Sequence, residues 1–331
     1  MSEQKIWLLR LVIPGRFGKL ITGILLLCLL LPLFYLGTQA YPSETTPTLF
    51  FSLVIAYIIP AFSHITTRTA EALQRLKPQL DIDDDAFERL RVQLYSGNPR
   101  LAAFNFCFGM LGGLVHMSLI SGSFTAALAR LIPKSPGFAS MLGALLVWIV
   151  MTSVISMLIQ QARIFSRLGR YHVRVSLFST HNLLPFGGVS ISSSLAILGA
   201  LTLFPLIGLE GGSDMKEIVP GAVATLIPLV VIFFMPVWPV HQRLASIKAQ
   251  QLVSINDQID QYLAQKGSAE EAALNLNPQF TTMLAYRREI ADSPTWPFDV
   301  SNVAKLTLYL VIPPLTWVAA ALMENLVDSV L

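Results

Sequence analysis

Charge is what this sequence has least of. Only 13% of its 331 residues are Asp, Glu, Lys or Arg, against about 25% in an ordinary soluble domain. A chain so poor in charge and 53% apolar lacks the polar groups to cover a globular surface, which excludes a typical soluble enzyme and a disordered protein. Cysteine is scarce too. Cys28 and Cys107 lie inside apolar runs without a partner at ligand spacing, which excludes a disulfide scaffold and a thiolate zinc site. Strand-like alternation is missing, as are a zinc-protease helix, a nucleotide phosphate loop, a serine elbow and a dinucleotide fingerprint. The chain is therefore read as a non-enzyme with no catalytic residue, cofactor or metal ligand assigned. No nucleic-acid partner is implied.

What is present is length of apolar sequence. Seven blocks, at 18–40, 47–67, 101–123, 137–162, 188–209, 217–240 and 303–327, each approach the roughly 20 residues that carry a helix across a hydrocarbon core. A helix satisfies its own backbone in lipid, so the predicted fold is all-α, a single polytopic bundle of seven transmembrane helices. The first block imitates a signal peptide, ending in Thr38-Gln39-Ala40. Its run from Leu20 to Leu36 exceeds the about 7–15 apolar residues of such a segment, and it is read as a retained first helix.

Basic residues orient the bundle. Of the 23 Lys and Arg, all but Arg130, Lys134 and Lys216 fall before or at the mouth of the first block, between alternate blocks, or at Lys305 at the mouth of the last. The N-terminus is predicted inside and the C-terminus outside, in a prokaryotic cytoplasmic membrane. The same inner side holds the long connections, 68–100 and 241–302, read as a cytoplasmic helical layer. Asp81 to Asp85 precede a predicted helix at Ala86–Leu94, where acids meet the positive helix end. Leu252, Ile255, Ile259 and Tyr262 follow a 3-4-3 step, giving an amphipathic helix that continues the sixth span and offers a subunit contact. A further helix is predicted at about 269–290, closing near Asp292-Ser293-Pro294.

Four of the five histidines, His64, His172, His181 and His241, fall at the inner face; without partners at helix spacing they read as interfacial. His116, the one at depth, reads as structural. The span centres hold no Asp, Glu, Lys or Arg, which weighs against an ion-driven pump and leaves a passive pore open. Gly109 and Gly113, four apart, allow close helix approach within the chain. The stretch Arg163–Ser194 mixes arginines with Tyr171, Phe178 and Phe186 and reads as lying on anionic headgroups of the inner leaflet. Trp296-Pro297-Phe298 reads as an interfacial anchor. Pro220, Pro228, Pro236 and Pro239 should kink or break the sixth span, and Pro313-Pro314 the seventh.

The whole layout resembles the seven-helix ligand-gated cation channels of the insect odorant and gustatory receptor superfamily. The shared features are an inner N-terminus, an outer C-terminus and a helical inner region before a last span that ends almost at once. That superfamily carries a Thr-Tyr pair and then a Gln-Phe pair in its last helix. Here the stretch reads Leu308-Tyr309 and then Pro314, Leu315, Thr316, so Tyr309 alone matches. The resemblance implies an oligomeric pore lined by the last helix and anchored by the inner helices.

These readings together give a homo-oligomeric ion channel or passive pore. Pro313 and Pro314 would form its hinge, Tyr309 and Thr316 its lining, and the 241–290 helices its subunit contacts. The alternative is a non-transporting scaffold that docks another protein through those inner helices.

Overall fold

The computed structural model describes residues 6–38, 45–204, 206, 215–266 and 278–298, with isolated positions 304, 307, 308, 311, 312, 315, 318, 319 and 322. Among them every regular element is a helix, with one isolated bridge between Leu80 and Val173. The helices are α1 (Trp7–Arg10), α2 (Gly18–Thr38), α3 (Thr45–Leu76), α4 (Asp84–Gln93), α5 (Pro99–Ser121), α6 (Phe124–Ala129), α7 (Phe138–Tyr171), α8 (Leu184–Leu201), α9 (Met215–Lys266) and α10 (Pro278–Asp292). Six of the described helical segments are long and apolar enough to cross a membrane: α2, α3, α5, α7, α9, and α8 with the 3-10 turn before it. The protein is thus of the multi-pass membrane class. The block 303–327 falls almost wholly outside the described residues.

Several helices outrun the blocks that announced them. The fourth block ends at 162, yet α7 continues to Tyr171. Leaving the lipid does not end a helix when its next residues still have a face to bury. Ile164, Phe165 and Leu168 are buried at 4% or less, while Arg163, Arg167 and Arg170 point outward between them. The arginines read as part of a surface stretch therefore belong to the extension of a spanning helix. Likewise α9 is helical without interruption over 52 residues through all four of its prolines, so of the expected kink or break the break is absent. Each proline removes only one donor, and the flanking turns hold the rod together.

The continuing ends of α3, α7 and α9 meet as a second core past the apolar blocks. Leu73, Leu76, Phe165, Leu168, Val240 and Leu244 bury together there, covered by Phe87 of α4 and Ile290 of α10. Each such side chain removed from water contributes about 1.5–3 kcal/mol. The cap on α4 is the one its acids suggested: the Ala86 N–H donates to Asp83 Oδ1 at 2.8 Å. Lys77 stands 2.7 Å from Asp84 and holds that exposed carboxyl below the usual carboxylate range. Asp83→Ala should cost about 1 kcal/mol. The loss should appear as faster amide hydrogen exchange across 84–93, with the spanning helices unchanged.

Inside the membrane burial from water no longer drives helix association, so close contact and polar pairing decide it. The two glycines of α5 meet α7 within the chain. A Cβ on Gly109 would lie 2.7 Å from the Ile149 Cα, and one on Gly113 3.2 Å from the Leu145 Cα. Between α3 and α7, Gln161 Nε2 donates to Thr66 Oγ1 at 3.1 Å in a fully buried bond. Thus α7 is the hub, packed on α3, α5 and α9, with α2 and α8 on α3.

Candidate functional site

Although α5 and α9 both pack closely on α7, they touch one another little. The gap left between them is a cavity of about 850 Å³, within the roughly 300–1,000 Å³ typical of ligand pockets. One stripe of α7 forms its floor. Val147, Met151, Ile155 and Ile159 alternate along it with Thr152, Ser156 and Gln160, and Arg163 and Arg167 follow at one end. Steps of three and four residues place all of these on a single helix face. From Ala144 to Arg167 that floor covers roughly 35 Å.

The walls are apolar and partly open. Phe104 and Phe108 of α5 stack at 5.9 Å and stand 62% and 54% exposed. Opposite them, Val223 and Ile227 of α9 form the other rim. The end away from the arginines is closed by Phe50, Phe51 and Phe204. There Trp148 Nε1 donates to His116 Nδ1 at 3.1 Å, so the deep histidine acts as the acceptor of a packed pair.

Two amides face this cavity without using all their atoms. Asn105 lines it at 2% exposure with Nδ2 unbonded, and Gln160 lines it with Oε1 buried and unbonded. An unsatisfied buried polar group costs about 1–3 kcal/mol, a cost that a ligand in the cavity would relieve.

The arginines are available in the same sense. Arg163 and Arg167 make no hydrogen bond or ion pair among the described residues. Their basic neighbours are engaged: Arg174 with Asp81 at 3.4 Å, Arg243 with the Val173 carbonyl at 2.9 Å, Lys248 with the Ala291 carbonyl at 2.6 Å. Arg163 and Arg167 also line a second, shallower recess of about 580 Å³, where Arg170, Tyr171 and Trp238 join them. The Arg170 guanidinium lies 6.0 Å from the Tyr171 ring centre. Positive charge, an indole and a phenol at one level are what a lipid headgroup region accommodates.

Tyr309, Pro313, Pro314 and Thr316 lie outside the described residues. Ile255 is buried in the second core, with Leu252 and Ile259 packed at its edge. Tyr262 stacks on Phe280 at 5.5 Å, and Arg287 of α10 bonds Asn256 at 2.7 Å, so α10 packs against this part of α9 within the same chain. Among the described residues no three His, Cys, Asp or Glu side chains converge to hold a metal ion. His241 stacks on Trp296 at 3.8 Å and contacts the Thr295 carbonyl at 3.1 Å. The cavity itself was missed in the sequence, though one signal was there. Thr152, Ser156 and Gln160 recur every four residues inside a strongly apolar helix and lead straight to Arg163 and Arg167.

No protein-family model, curated protein sequence or solved structure matches this chain.

Proposed function

We propose that this chain is a seven-span protein of a prokaryotic cytoplasmic membrane, N-terminus inside and C-terminus outside, that binds an acidic phospholipid in the α5–α7–α9 groove. The observation that carries this reading is the gradient along α7. An apolar slot with two amides that each keep an unbonded atom, Asn105 Nδ2 and Gln160 Oε1, runs into two arginines that no carboxylate pairs with among the described residues. The acyl chains occupy the apolar length, and the phosphate meets Arg163 and Arg167. A planar guanidinium grips phosphate oxygens with two parallel hydrogen bonds. The orientation rests on the basic residues of the sequence, which put this end of α7 at the leaflet where anionic headgroups attract them.

The test is what the protein carries when purified. In mild detergent, native mass spectrometry should show acidic phospholipid retained at a fixed ratio. Added phosphatidylglycerol should raise its thermal stability more than phosphatidylcholine does. Lipid-free protein indifferent to headgroup would overturn the reading. The homo-oligomeric channel, with Tyr309 and Thr316 lining it and Pro313-Pro314 as hinge, stands as the second proposal. It is supported by the lack of ionised residues at the span centres, and ion flux through protein-containing liposomes decides it.

A further inference from the structure

The groove is longer than an anchor for one headgroup requires. Its floor of roughly 35 Å on α7 exceeds a hydrocarbon core of about 30 Å. A site serving only to hold a phosphate at the arginines has no use for hydrogen-bonding groups deeper along that floor. Yet Gln160, Ser156 and Thr152 continue inward from Arg167 and Arg163 in successive turns, each step about 6 Å along the axis.

Asn105 joins this series from the opposite wall. Helices α5 and α7 run antiparallel with Gly109 against Ile149 and Gly113 against Leu145. That register sets Asn105 across from residue 153, level with Thr152 and Ser156. Its unbonded Nδ2 is a donor for a phosphate oxygen, and the unbonded Gln160 Oε1 is an acceptor for a lipid hydroxyl or ammonium. The polar groups thus stand in the stretch where a headgroup in bare hydrocarbon would have none.

The slot also opens sideways. Phe104 and Phe108 on one rim and Val223 and Ile227 on the other are exposed, and α5 scarcely meets α9. A headgroup inside the slot could therefore move along the polar floor while its acyl chains stayed in the bilayer. No nucleotide-binding motif and no ionised residue at the span centres supplies an energy source.

We infer that the slot is a passive path along which the headgroup of an acidic phospholipid crosses between the two leaflets. This rests on the lipid-binding reading above and extends it from holding to transfer. No bond is made or broken; the lipid exchanges water for Arg163 and Arg167, then for Gln160, Ser156, Asn105 and Thr152 in turn.

The experiment uses the purified full chain in vesicles of phosphatidylcholine and phosphatidylglycerol carrying a trace of headgroup-labelled fluorescent phosphatidylglycerol. A membrane-impermeant reductant is added outside. Protein-free vesicles lose the signal of the outer leaflet alone; vesicles with the protein should go on to lose nearly all of it. Asn105→Leu and Ser156→Phe should each slow that second phase roughly tenfold, while a single cooperative thermal unfolding transition in detergent marks both variants as folded. Loss of the outer-leaflet signal alone, with lipid still co-purifying, overturns transfer and leaves binding standing. Neither lipid retention nor transfer overturns both. Equal rates in protein and variants move the path away from this slot. Bleaching of an encapsulated soluble dye overturns the inference in favour of an open pore.

Discussion

Replacing Arg163 and Arg167 together by alanine should lower the affinity for acidic phospholipid roughly thirtyfold, since each cation near a headgroup contributes about 1 kcal/mol. The estimate applies because neither guanidinium pairs with a protein group among the described residues, so each charge removed is one available to the lipid. Arg174 provides the control. It stands at the same end of α7 but is paired with Asp81, and Arg174→Ala should change lipid affinity little. The double variant should fold, because both side chains are exposed and the buried face of α7 is untouched. Lysine at both positions should recover part of the loss, keeping the charge without the two-pronged grip. Phosphatidylglycerol titration monitored by native mass spectrometry reads all three. An unchanged affinity in the double alanine variant would remove the arginines from the site.

The second large effect concerns how the groove is held open. A methyl group on Gly109 would meet the Ile149 Cα at 2.7 Å and the Trp148 carbonyl oxygen at 2.9 Å. Those are backbone atoms of the hub helix and cannot swing aside. Gly109→Ala should therefore cost about 1–3 kcal/mol by overpacking, seen as a lower thermal unfolding temperature in detergent. At Gly113 the nearest atom is the Leu145 Cδ2 at 2.9 Å, the end of a flexible side chain. Gly113→Ala should be distinctly milder. Because Asn105 lies one turn from Gly109 on the same face, the harsher variant should also weaken lipid binding. Equal stability of the two alanine variants would mean that α5 does not sit this close to α7.

How much of this was legible in the sequence depends on which forces shape each part. The α4 cap was readable because Asp83 acts on an amide three residues away, a local interaction. The amphipathic step through Leu252, Ile255, Ile259 and Tyr262 was readable as a helix face. What covers that face was not, since α10 arrives across a connection of sequence that carries no sign of where it will dock. Block lengths announced the six long apolar helices among the described residues but not the end of α7, where Ile164, Phe165 and Leu168 continue the helix by packing against α8 and α9. The groove was the hardest feature to see. Its floor is written in α7 as Thr152, Ser156 and Gln160, but its existence depends on α5 and α9 diverging. Its polar side chains are also neutral, so they do not stand out in an apolar run as an ionised residue would.

The central claim is that an acidic phospholipid lies in the slot with its phosphate at Arg163 and Arg167, and photolabelling in the bilayer tests it most directly. Phosphatidylglycerol bearing a photoactivatable group on an acyl chain would be reconstituted with the full chain, illuminated, and the labelled residues mapped. The account expects headgroup-dependent labelling of Met151, Ile155 and Ile159 on the α7 floor. Phosphatidylcholine with the same group should label only outward residues such as Leu25 and Leu29 of α2. Labelling of the floor that is absent, or identical for both lipids and for the Arg163→Ala/Arg167→Ala variant, would contradict it.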